Sequence, residues 1–159
     1  HANPVLLETP LQLLYWAVLV YPLSADVHTE LSARLGLRHD TARLMASMLL
    51  LRESLPLLAR QDARPSELVA VLDEIEPAAL TLAPVVCDDP QVLSAIACYQ
   101  TVWQHIEAEL NGDDLHRMGI PRGPFYRDIL AALRTARLDG IATTREGEEH
   151  IVQTMIQDL

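Results

Sequence analysis

The sequence predicts an all-α protein, an irregular array of about eight or nine helices with no sheet. Three observations carry this. Leu and Ala, both good helix formers, dominate, and no run alternates β-branched with polar residues in the period-two manner of a strand. Apolar residues recur instead at spacings of three and four. Proline, glycine and short polar residues fall where helices start and stop.

In chain order, Thr9-Pro10 reads as an N-cap followed by a proline in the first helical position, opening a helix that ends near Tyr21. The apolar run from Leu11 to Leu23 is interrupted by Gln12 and Pro22. It is too short to span a bilayer and lacks the flanks of a signal peptide, so a buried helix is predicted. Ser24 caps a second helix that ends at Gly36. Asp40 begins a third, with Leu44, Met48 and Leu51 on one stripe and a break or kink near Pro56. Pro65-Ser66 opens a helix with Leu68, Val71, Leu72 and Ile75 on one face, and Pro77 opens a shorter one ending near Val86, bent by Pro84. Asp89-Pro90 opens a long helix, predicted to run through Val92, Leu93, Ile96, Tyr99, Val102, Trp103 and Ile106 to Leu110. A short turn of helix spans Asp114 to Met118. Gly123-Pro124 opens the next, carrying Ile129, Leu130 and Leu133 and ended by Gly140. Thr143 with Glu146 reads as a capping box for the last helix, with Ile151, Val152, Met155 and Ile156 inward. No repeat, low-complexity tract or long linker forces a division. The domain reading is a helical body over 1–110 and a C-terminal tail over 111–159, or one continuous domain.

The 159 residues carry a net charge of −10, with 50% hydrophobic and 21% charged side chains. That is globular composition with room for a core. It excludes a polybasic nucleic-acid binder but not a local basic patch. All 12 basic residues are Arg. The planar guanidinium fork suits phosphate, although a genome-wide bias in composition leaves the same mark. Cys87 and Cys98 sit in apolar runs and read as reduced core residues of a cytoplasmic protein. No second Cys or His pair completes a zinc pattern. The chain begins at His1, which reads as a piece of something longer.

Charge is unevenly divided. Residues 1–114 hold 6 Arg and 16 acidic residues, whereas 115–145 hold 6 Arg and only Asp128 and Asp139. Arg127, Arg134 and Arg137 fall on one helix at spacings that could share a face. Two readings stand: a guanidinium row for a phosphate backbone, or a solvated surface of Arg–Asp pairs. The loop Gly119-Ile120-Pro121-Arg122-Gly123-Pro124 feeds a helix N-terminus, where N–H groups attract an anion; equally, its Gly and Pro could only set turn geometry. Asp88-Asp89 and Asp113-Asp114 each precede a helix and read as caps, since adjacent carboxylates diverge and no third ligand recurs at metal spacing. The six His are scattered, and no nucleophile motif appears. His105 and His116 read as surface or core-edge residues rather than general bases, Tyr99 and Trp103 as core rather than base-stacking platforms.

The stretch NGDDLHRMGIPRGPFYRDILAALRTARLDGIATTREGEEHIV, Asn111 to Val152, resembles the C-terminal region of bacterial tRNA nucleotidyltransferases and related poly(A) polymerases. In that family a Gly-x-Asp-Leu element precedes a Gly, a Gly-Pro opening a helix, an Ala-rich helix ending in Leu-Asp-Gly, and Thr-Arg-Glu. Here these fall at Gly112, Asp114-Leu115, Gly119, Gly123-Pro124, Leu138-Asp139-Gly140 and Thr144-Arg145-Glu146. Glu30-Leu31 with Arg34-Leu35, and Arg64-Pro65-Ser66-Glu67-Leu68, resemble the family's RNA-binding body helices more loosely. The chain is most similar to the long bacterial form, in which DHH and CBS modules precede the nucleotidyltransferase head. Many relatives have Gly where Arg127 stands.

The resemblance implies the tRNA-holding body and tail of such an enzyme. The family's catalytic head carries Gly-Ser-x-x-Arg-Gly and an Asp-x-Asp pair that holds magnesium, and neither is in this sequence. No catalytic residue, metal ligand or cofactor is therefore expected here, with magnesium expected only for the parent enzyme. The expected partners are tRNA or another RNA 3′ end and the upstream head, with no membrane. Candidate RNA contacts are Arg122, Gly123, Arg127, Arg134 and Arg137; candidate structural positions are Gly112, Asp114, Leu115, Gly119, Pro124, Gly140 and Arg145. The rival reading is a helical interaction or homodimerisation module, its seam on the first helix at Leu11, Leu14, Trp16 and Val18. An independent enzyme ranks last.

Overall fold

The structure, a computed structural model, describes residues 10–35 and 38–157. Among them are nine α-helices and no strand. They are α1 (Leu11–Val20), α2 (Ala25–Leu35), α3 (His39–Leu58), α4 (Pro65–Leu72), α5 (Pro77–Val86), α6 (Pro90–Thr101), α7 (Gly112–Arg117), α8 (Phe125–Leu138) and α9 (Arg145–Gln157), with a 3-10 turn at Trp103–His105. The expected cap at Thr9 and stop at Gly36 lie outside the described residues. None of the described helices is long and apolar enough to cross a membrane. The chain forms two compact units, one of residues up to 63 with 67–100, the other of 64–66 with 101–159.

In the first unit α3 is central, packing on α1, α2 and α5. Its buried stripe is Leu44, Met45, Met48, Leu51 and Leu58. The polar groups on the same helix find partners, as buried polar groups must: Ser54 Oγ donates to the Leu50 carbonyl at 2.6 Å, and Ser47 Oγ accepts from the Glu76 N–H at 3.2 Å. The helix is not broken at Pro56 but continues to Leu58. So close to its C-terminal end, a proline removes one backbone bond without stopping the helix. α1 departs from the buried helix expected of it. Ala17 and Val20 are buried, while Leu11, Tyr15 and Leu19 are 64%, 69% and 66% exposed. Nearly every position of α1 is apolar, so whichever face packs, another apolar face is left outside. The chain just beyond α1 is tied down, Arg52 Nη1 donating to the Tyr21 and Leu23 carbonyls at 2.6 Å each.

Asp89 caps α6 as expected, its Oδ1 accepting from the Gln91 N–H at 2.8 Å. The helix then stops at Thr101 rather than reaching Leu110. Thr101 and Val102 are β-branched and weaken it, and side chains satisfy the backbone beyond. Arg134 Nε donates to the Ile106 carbonyl at 3.0 Å, and the Glu148 carboxylate accepts from the Glu109 and Leu110 N–H groups at 3.0 and 2.8 Å. Backbone groups partnered in this way have no need of a helix.

In the second unit α8 packs on both α7 and α9. The core between them is Leu110, Leu115, Ile120, Ile129, Leu133 and Val152. At six residues α7 is far below the length at which a helix is stable alone. Both its ends are fixed instead. Asn111 Oδ1 accepts from the Asp113 and Asp114 N–H groups, and Asp114 Oδ2 accepts from the Asn111 N–H, a reciprocal capping box. At the other end Gly119 takes φ +86°, with Ile120 N–H on the Leu115 carbonyl and Gly119 N–H on that of His116. This is a Schellman closure, and Leu115 and Ile120 meet in the core beneath it. α8 ends identically at Gly140, φ +68°, with Ile141 N–H on Ala136 and Gly140 N–H on Arg137. Both positions need glycine because a Cβ strains that backbone conformation. The last helix is capped by Thr144, whose Oγ1 accepts from the Gly147 N–H at 3.3 Å, and not by Thr143. With α9 starting at Arg145, Thr144 stands immediately before the first turn.

Candidate nucleic-acid interface

The motif residues of the C-terminal unit are joints. Asp114, buried on α7, accepts from Arg145 of α9 at 2.7 Å and from Arg117 at 2.9 Å on the same Oδ1. The Arg145 guanidinium, followed by the Asn111 N–H, holds the Asp114 carboxyl below the usual carboxylate range. Leu115 beside it is completely buried. Gly112 lies under the Tyr126 ring, a Cβ there meeting it at an ordinary 3.6 Å. Tyr126 in turn donates its hydroxyl to the Ile120 carbonyl at 2.7 Å, closing the 120–126 loop on itself. Asp139 accepts from the Ser66 N–H at 2.9 Å and from Ser66 Oγ at 2.8 Å, so the Arg-Pro-Ser and Leu-Asp-Gly elements meet.

Arg137 belongs with these joints rather than with a phosphate-binding row. Its Nε donates to the fully buried Glu148 and its Nη2 to Glu109. Burial pushes the Glu148 carboxyl up. The Glu109 and Leu110 N–H groups and the Arg137 guanidinium outweigh that and hold it below the usual range. The reason lies in helix geometry. At about 100° per residue, positions 127 and 134 coincide within about 20°, whereas 137 lands about 80° from 127. Asp114 and Glu148 thus bind fewer protons folded than unfolded. The stability they add is complete above about pH 4.5, where the unfolded carboxyls are ionised, and is lost as pH falls below about 4. The urea midpoint should therefore fall on acidification from pH about 4.5 to 3, and a flat profile would contradict these two pairs.

What remains outward-facing lies on α8 and the loop before it. Arg127, Leu130, Ala131 and Arg134 recur at three, four and seven along α8 and, with Gly123, Pro124 and Tyr126, line an open depression of about 670 Å³. Arg127 is exposed and forms no ion pair among the described residues. Arg134 is anchored by the Ile106 carbonyl. Arg122 reaches Asp113 at 3.3 Å, but both side chains are more than 70% exposed, and such pairs give way easily. Gly123 is open, with nothing within 4 Å of where a Cβ would stand. The helix start is a poorer anion cradle than its sequence suggests: Pro124 has no N–H, and the Tyr126 and Arg127 N–H groups bond the Gly123 and Pro124 carbonyls. The structure thus brings Gly123, Pro124, Arg127 and Arg134 to one groove, leaves Arg122 exposed in the preceding loop against Asp113, and separates Arg137 and Arg145 from it. Among the described residues no group of three His, Cys, Asp or Glu side chains is placed to hold a metal ion.

Sequence reasoning missed the two residues that organise the unit, Glu148 and Glu109. A signal existed for Glu148, which stands four residues before Val152 in the inward stripe of α9. A charge in an apolar stripe implies a buried partner. The apolar floor, Leu130 and Ala131 between two arginines, was legible only once Arg137 left the row.

Over 92 residues, 58% of the chain, the sequence is 37% identical to an A-adding tRNA nucleotidyltransferase of Geobacter sulfurreducens. The chain spans about a tenth of that relative's length, the matched stretch being 10% of it. No family profile and no solved structure matches the chain.

Proposed function

We propose that this chain is the RNA-holding C-terminal portion of a tRNA nucleotidyltransferase, of the long DHH–CBS form or a poly(A) polymerase relative. It acts in the cytoplasm and positions an RNA 3′ end for nucleotide addition by a catalytic head that its own residues do not supply. The observation that carries this reading is the division of labour among the arginines. Arg137 and Arg145 are consumed by buried carboxylates, whereas Arg122 and Arg127 face outward beside an open groove in a segment with excess positive charge. The similarity to a tRNA nucleotidyltransferase supports RNA as the class of ligand. A-form RNA offers little base readout in its deep groove, so contacts to phosphate and to unpaired nucleotides are the expected mode.

The test is filter binding of tRNA to the chain and to its Arg122→Glu/Arg127→Glu variant across a salt series. Both side chains are exposed, so helicity is unchanged. Affinity should fall by about tenfold or more, and the slope of log K against log salt by about 1 to 2. Equal affinities would reject the reading. A second reading is favoured by α1. Of the expected seam, Leu14, Trp16 and Val18 are half-buried and only Leu11 is exposed. Leu11, Tyr15 and Leu19, however, form an exposed apolar stripe suited to docking on upstream domains or to homodimerisation. A salt-insensitive dimer in light scattering, with no tRNA bound, would select it.

A further inference from the structure

We propose that the groove on α8 is a seat for one unpaired nucleotide of an RNA strand, its base or ribose on the Leu130–Ala131 floor and its phosphates toward Arg127 and Arg134. This rests on the RNA-holding function proposed above and goes beyond it, because a phosphate row alone would favour any duplex. The composition of the depression points to it. Between its two cationic ends it offers Leu130, Ala131, Pro124 and the ring of Tyr126, whose hydroxyl is already spent on the Ile120 carbonyl. A duplex presents a polar, hydrated phosphate surface and gains nothing from such a floor. An unpaired nucleotide has a flat apolar face and an anionic edge, and matches both parts.

The spacing agrees. Arg127 and Arg134 stand seven residues apart on one face, a rise of about 10 Å along the helix axis, room for one nucleoside between flanking phosphates. The anchoring of Arg134 by Ile106 fixes that end of the groove, while Arg127 is the exposed end. Ala131 is exposed between them, so a side chain added there enters the groove without disturbing the core.

A nucleoside monophosphate has this chemistry whether free or within a strand, and the experiment separates the two. The full chain is titrated with a fluorescein-labelled single-stranded oligoribonucleotide of about eight nucleotides, with a blunt, fully paired RNA hairpin, and with AMP as competitor. Single-stranded RNA should bind best, and Ala131→Glu should weaken it by about tenfold while circular dichroism is unchanged. Arg127→Ala should weaken it less and flatten its salt dependence by about 0.7 in slope. AMP should compete only at far higher concentration than the strand. Hairpin binding equal to the single strand and indifferent to Ala131→Glu would overturn the nucleotide seat while leaving the RNA-holding function standing. Competition by AMP at the strand's own nucleotide concentration would overturn the assignment to a strand. Absence of binding to any RNA would remove both proposals.

Discussion

Glu148→Ala is expected to destabilise the C-terminal unit by about 3–5 kcal/mol, the scale on which a buried pair fails when one partner is removed. Three groups lose their acceptor together. The Glu109 and Leu110 N–H groups, at 3.0 and 2.8 Å from the carboxylate, have no helix to return to because α6 has already stopped at Thr101. Arg137, which is 21% exposed, keeps only its contact with Glu109. The cost is that of the orphaned partners rather than the worth of the pair, which gives the prediction a second arm. Arg137→Met with Glu148→Leu should recover part of the loss relative to Glu148→Ala, because no charge is then stranded, although the two N–H groups still are. Urea unfolding of the three proteins checks this. A Glu148→Ala cost under about 1 kcal/mol would mean that the carboxylate is not the keystone of the 106–110 segment.

The Glu148 cluster explains why the sequence could be read for helices but not for where the helix opened by Asp89-Pro90 ended. Helix starts and stops rest on local chemistry: Asp89 and Asn111 with Asp114 cap the starts of α6 and α7, and the glycines at 119 and 140 close the ends of α7 and α8. The end of α6 depends on Arg134 and Glu148, residues distant in sequence, so apolar spacing alone carried Ile106 and Leu110 into a helix they do not form. The one-position error at Thr143 is of a different kind, since two neighbouring threonines are equally good caps until the first turn fixes which precedes it. In the candidate site the spacing offered Arg127, Arg134 and Arg137 for one face of α8, and the structure keeps only the first two at the groove. Ten positions along a helix do not return to the same face, and only Glu148 reveals where Arg137 went. Leu130, carried on α8 beside Ile129, is half-buried, packed on the core while also flooring the groove.

Asp139→Ala carries the second large effect, about 3 kcal/mol, and it tests whether the Leu-Asp-Gly element is a joint or a ligand-binding motif. The Asp139 side chain is 4% exposed and serves the Ser66 N–H and Oγ with separate oxygens, while Arg64 Nη1 approaches at 3.8 Å. Ser66 lies in the first turn of α4, where backbone N–H groups have no helical acceptor. Asp139 therefore acts as an N-terminal cap supplied from 73 residues away in the chain. Asn at this position retains one oxygen for the N–H and can donate its amide to Ser66 Oγ, so Asp139→Asn should cost about 1 kcal/mol, clearly less than Ala. Ser66→Ala removes only the hydroxyl bond and should fall near Asn. Amide exchange at Ser66 separates capping from generic destabilisation, since it should speed up in Asp139→Ala well below the unfolding midpoint. Where that variant is still folded, its tRNA affinity should equal that of the parent chain, because the groove arginines do not depend on this carboxylate. A selective loss of tRNA binding in a folded Asp139→Asn protein would instead make the element part of the RNA contact, and joints and contacts would no longer be separate sets of residues.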